Sequence, residues 1–178
     1  ESGYDERTRH REEPRENPLA AEPAEAMPPR AFRESLIGWL GKYHPPAVHF
    51  PIALLTAAAV AEMLQVVTGK PFFDAVSRFC VWFGTLAAAG AGILGCFAGG
   101  VRLIDDYWVM TTHRWLGTST VTCAGLALAL SEMSRQPDRR RTRTCFRVVL
   151  LASAFLALAT GFFGGAVVYG LEHYAWPQ

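Results

Sequence analysis

The chain has 178 residues, 51% of them hydrophobic, a formal net charge of +1 and a mean hydropathy of +0.15. Four cysteines are too few for a secreted disulfide scaffold of this length, and balanced charge without a broad basic face excludes a nucleic-acid partner. The charge is also unevenly placed: residues 1–42 hold nine acids and seven bases, leaving 17 of the 33 charged side chains for the other 136 residues.

Residues 1–30, ESGYDERTRHREEPRENPLAAEPAEAMPPR, combine low hydrophobicity with scattered proline and dense charge. Such a segment cannot bury a core of its own. It is expected to be an extended arm held by a partner, most simply other subunits of a membrane complex. The chain starts at Glu1 rather than at Met, so either processing or further upstream residues are expected. Over residues 31–43, Phe32, Leu36, Trp39, Leu40 and Tyr43 recur at helical spacing between Arg33, Glu34 and Ser35. That pattern predicts a short amphipathic helix lying in the membrane interface.

The body, residues 44–178, holds four apolar runs: Ala47–Val67, Val81–Gly100, Trp115–Met133 and Val148–Gly170. About 20 residues at 1.5 Å rise cross a hydrocarbon core roughly 30 Å thick, so each is long enough to span. The second and fourth runs carry no charge, and Glu62 and Glu132 sit at the far ends of the other two. A charge at the bilayer centre is costly, and a soluble helix would need a polar face that VVLLASAFLALATGFFGGAVVYG lacks. Connections of about thirteen to fourteen residues make sequential spans antiparallel. The expected fold is therefore all-α: an integral-membrane, up-down four-helix bundle with an extended N-terminal arm and a short interfacial helix.

In that bundle the N-terminus, second loop and C-terminus share one side, the near side. The far side carries eight bases close to span ends, including Lys70, Arg78, Arg143 and Arg147, whereas Arg30, Arg33, Lys42, Arg102 and Arg114 give the near side five. Short basic loops stay in the cytoplasm. The expected location is the bacterial inner membrane with both termini periplasmic.

Four histidines, His44, His49, His113 and His173, all fall at near-side span ends. Imidazole is a common metal ligand and a usual axial ligand of haem iron, and a four-helix bundle builds such sites from facing helices. The first and third spans are diagonal, and His49 and His113, at similar depth, are the expected axial pair. His44 and His173 are then further ligands, propionate partners or surface residues. Arg102 and Arg114 are candidate propionate partners. Glycines on the second and fourth spans would let a flat ring approach the backbone, and Thr118, Ser119, Thr120 and Thr122 offer supporting hydroxyls. The same glycines also suit close helix packing in lipid, and the same hydroxyls suit bonds to their own backbone. Cys80, Cys96, Cys123 and Cys145 include no C-x-x-C-H, which excludes covalently attached haem and leaves haem b, a pigment or no cofactor.

The stretch His44-Pro45-Pro46-Ala47-Val48-His49-Phe50-Pro51, His113 and Gly164-Gly165-Ala166-Val167-Val168-Tyr169 together resemble an uncharacterised bacterial family of four-span membrane proteins. That family opens with H-P-x-x-V-H-F-P, has a His at the head of span three and ends on G-G-x-x-V-Y, and the likeness covers roughly residues 43–174. Members often adjoin or fuse to cytochrome c-like domains, which implies redox company but assigns no activity. Two functions are expected from all this. The first is a cytochrome b-like subunit passing electrons between quinol and a periplasmic carrier such as cytochrome c. The alternative is a non-catalytic structural subunit of a respiratory or photosynthetic complex.

Overall fold

A computed structural model of the chain describes residues 32–135 and 140–176. The arm, residues 1–30, lies outside the described residues. The remainder of the chain is one compact unit made of helices. These are α1 (Phe32–Gly41), α2 (His44–Ala47), α3 (His49–Thr68), α4 (Pro71–Gly99), α5 (Trp108–Met133) and α6 (Arg140–Tyr169), followed by a 3-10 turn, Leu171–Tyr174.

Within the 31–43 stretch a helix, α1, covers Phe32–Gly41, and its Gly41 is buried against Ala98 near the C-terminal end of α4. Pro45 and Pro46 open α2, where missing amide hydrogens cost nothing. Pro51 cannot donate to the carbonyl of Ala47, so the helix breaks at Val48 and restarts as α3. Gly69, at φ 66°, ends α3 in the left-handed conformation with its amide on the carbonyl of Gln65, and Pro71 starts α4.

The first connection is thus Gly69–Lys70, much shorter than the expected thirteen residues. The helices begin earlier than the apolar runs do: α4 at Pro71, α5 at Trp108 and α6 at Arg140. Their polar first turns stay helical because Asp74, Arg78, Arg143 and Arg147 find partners on neighbouring helices.

Each long helix packs on its sequence neighbours, and α6 closes the ring against α3. The interior is built of small residues: Ala58, Ala88, Ala124, Ala127 and Ala157 are buried, with Leu55, Val81, Leu150 and Phe146 among them. Large apolar side chains point outward instead, Phe79 58% and Phe155 70% exposed. Burial in water would reverse that arrangement, whereas helices in lipid pack through small residues and leave bulky ones to the hydrocarbon. Among the described residues three stretches are long and apolar enough to cross a membrane: Phe32–Thr68, Pro71–Gly99 and Arg140–Tyr169. The third expected span, α5, is not among them, because His113, Arg114 and its threonines and serines lower its hydropathy.

Candidate histidine site

The two ends of the bundle differ in chemistry. At one end Glu62, 4% exposed, accepts from Nε and Nη2 of Arg143 and from Nε of Arg147, while Arg143 also reaches Asp74. Arg78 joins Asp74 to Glu132, and Trp82 donates its indole N–H to Glu132. This network ties together the C-terminal ends of α3 and α5 and the N-terminal ends of α4 and α6.

The opposite end carries the histidines. His44, opening α2, hydrogen-bonds through Nδ1 to the carbonyl of Ala91 on α4 at 2.9 Å. His113, in the second turn of α5, bonds through Nδ1 to the carbonyl of Thr160 on α6 at 3.1 Å. A carbonyl only accepts, so Nδ1 carries a proton in both rings, and Nε2 lies outside these bonds. The ring centres lie 6.1 Å apart with planes at 78°. Both rings press on glycine: a Cβ at Gly95 would sit 3.0 Å from Cε1 of His44, and one at Gly164 would sit 3.1 Å from Cε1 of His113.

The structure therefore brings His44, rather than His49, to His113. His49 is exposed, and its Nδ1 bonds the carbonyl of Pro45 in the turn before it, 2.9 Å away. His44 thus faces α4, and His49, beyond the break at Val48, lies on the outer surface. His173 is also apart, exposed in the 3-10 turn and stacked on Tyr169. Arg114 holds the end of α4: its guanidinium donates to the carbonyls of Gly99, Gly100 and Arg102 and meets Asp105. Those carbonyls have no partner within the helix, and a cation there also suits the helix dipole. Arg102 is exposed and takes part through its carbonyl.

Among the expected hydroxyls, Thr118 and Thr122 bond back to their own helix. Thr120 also bonds back, to the carbonyl of Leu116, and its Oγ1 lies 3.1 Å from Oγ1 of Thr160, the residue whose carbonyl holds His113. Sequence reasoning missed the two carbonyls, which no side-chain pattern marks, and the imidazole contacts of Gly95 and Gly164. Gly165 lies under the Tyr174 hydroxyl.

Chemically, this is a two-ligand site. A neutral imidazole whose Nδ1–H is fixed by a carbonyl presents Nε2 to a metal in a set orientation. A metal bonded to each ring at about 2.0–2.1 Å sits between ring centres about 6 Å apart. Among the described residues no group of three or more His, Cys, Asp and Glu comes together. A bare zinc or copper ion would be short of ligands here, whereas haem brings four nitrogens of its own and asks the protein for two. Two imidazole nitrogens match in kind and number the two ligands that haem asks of a protein.

A family model described as predicted membrane protein (DUF2231) matches residues 42–174, which takes in all four long helices and both pinned histidines. The chain belongs to this family. No curated protein and no solved structure matches it. The outward-facing bulky side chains of this DUF2231 protein agree with the membrane character in the family's description.

Proposed function

We propose that the protein is a four-span inner-membrane subunit that binds haem b between His44 and His113 near the periplasmic face, for electron transfer between quinol and a periplasmic carrier. One observation carries the reading: two imidazoles from separate helices, α2 and α5, each fixed at Nδ1, with ring centres 6.1 Å apart. α5 completes the up-down bundle as the fourth crossing, shielded by its packing on α4 and α6. Haem, when bound, supplies one-electron chemistry. The chain's own residues orient the two ligands through the carbonyls of Ala91 and Thr160. Arg114 closes the end of α4 beside them.

A structural subunit without cofactor is the competing reading. It is favoured by the fact that each histidine already staples two helices, His44 joining α2 to α4 and His113 joining α5 to α6. A pyridine haemochrome assay with a reduced-minus-oxidised spectrum, on protein purified from membranes supplied with haem precursor, separates the two. The haem reading expects a b-type spectrum at about one haem per chain, lost when His44 and His113 are both replaced by alanine. Protein that folds but carries no haem would leave the structural reading.

A further inference from the structure

His44 and the carbonyl of Ala91 are 47 residues apart, and so are His113 and the carbonyl of Thr160. The glycine under each ring, Gly95 or Gly164, lies four residues beyond its carbonyl. The two sets are related by one shift of 69 positions (113 − 44). The same shift carries much of the core onto itself. Leu55 maps to Ala124, Ala58 to Ala127, Val81 to Leu150 and Ala88 to Ala157, and all eight are buried. It maps Arg78 to Arg147, each of which pairs with a glutamate on the neighbouring hairpin, Glu132 for Arg78 and Glu62 for Arg147. One position further along, the left-handed glycine that ends α4, Gly100 at φ 73°, becomes the one that ends α6, Gly170 at φ 79°. Packing agrees: the α3–α4 and α5–α6 pairs are the closely joined ones, and the cross pairs α3–α6 and α4–α5 are equally extensive.

We infer that the body is a tandem duplication of one helical hairpin, and that the site is two-fold: in each copy the same device, a carbonyl with a glycine one turn on, positions one of two equivalent imidazoles. Gly95 and Gly164 are accordingly positioning residues. A methyl group at either would push against ring carbon at about 3 Å, tighter than ordinary contact, and would swing the imidazole about its Nδ1 bond. This rests on the proposed haem reading for its ligand, but the duplication itself stands on the coordinates of the chain alone.

The test compares Gly95→Ala and Gly164→Ala in the full-length protein, with Gly90→Ala, whose added methyl would meet nothing within 4 Å, as control. In haem-loaded protein, low-temperature electron paramagnetic resonance reports the relative orientation of the two ligands. The two variants are expected to shift the ferric signal alike and to change the midpoint potential in the same direction and by similar amounts, with the control unchanged. In haem-free protein the two are expected to lower the unfolding temperature by matching amounts. A shift in one variant with none in the other would overturn the equivalence while leaving haem binding intact. If no haem binds, the proposed function fails, and the haem-free comparison still decides the duplication: matching losses uphold it, and losses differing by more than two-fold overturn it.

Discussion

The two ends of the bundle solve opposite problems. At the carboxylate end, Glu62 is buried among Arg143, Arg147 and, through Arg143, Asp74, so charge is kept inside by pairing every partner with another. At the histidine end Arg114 pairs with Asp105 while capping α4, and two rings are held by bonds to helix carbonyls. The comparison teaches that a network of charges stabilises only while it is complete, whereas imidazoles pinned at Nδ1 leave the other ring nitrogen outside the bond.

That contrast can be broken at several points. The largest effect is expected from Arg143→Ala combined with Arg147→Ala. Glu62 would remain buried with no cation, and stranding a buried charge costs about 3–5 kcal/mol. Unfolding in mild detergent or bicelles, followed by helical circular dichroism, reads it. A loss under about 1 kcal/mol would mean that water reaches Glu62.

Next is Arg114→Leu at the other end. It strips the last carbonyls of α4 of a charged donor and should cost about 1.5–3 kcal/mol, since hydrogen bonds to charged groups lie in that range. The account expects haem content to survive this change, because the arginine caps a helix rather than binding propionate. Haem loss with unchanged stability would return Arg114 to the site.

Gly41→Val follows. A Cβ there would stand 2.8 Å from the backbone of Ala98, which cannot yield as a side chain can, so α1 should be displaced at a cost of about 1–3 kcal/mol. Faster proteolysis within residues 31–43, with the rest of the bundle protected, is the expected signature.

The smallest effect on stability is expected from deleting residues 1–30. That segment offers little apolar surface against the backbone entropy of ordering, about 1–2 kcal/mol per residue. Unfolding of the body should change by under about 0.5 kcal/mol. Co-purification with other membrane subunits should instead fail, or persist only at low salt, since contacts between charged residues are screened. Normal co-purification at high salt would remove the arm from the assembly.

The membrane helices were legible in the sequence because hydropathy is a property of stretches: Val81–Gly100 and Val148–Gly170 each end one residue past the last residue of α4 and α6. Their true starts were not, since Asp74 or Arg143 reads as a loop residue until its partner on another helix is known. The one-ended gathering of His44, His49, His113 and His173 was also legible, from topology alone. Which of them meet was not. His44 and His49 differ by five positions, and the break that Pro51 forces at Val48 decides which one turns inward. The hairpin repeat was present as a 69-residue shift, but small apolar residues replace one another so freely in lipid-facing helices that few identities survive. Shared burial, rather than shared identity, reveals it.

The central claim is that His44 and His113, and neither His49 nor His173, are the two ligands of one haem. Electron paramagnetic resonance of the oxidised, haem-loaded protein tests it most directly, comparing the wild type with His44→Ala, His113→Ala, His49→Ala and His173→Ala. The account predicts a low-spin ferric signal in the wild type and in the His49 and His173 variants, and a high-spin signal or lost haem in the other two. A low-spin signal that survives removal of His44 or His113, or that disappears with His49, would contradict it.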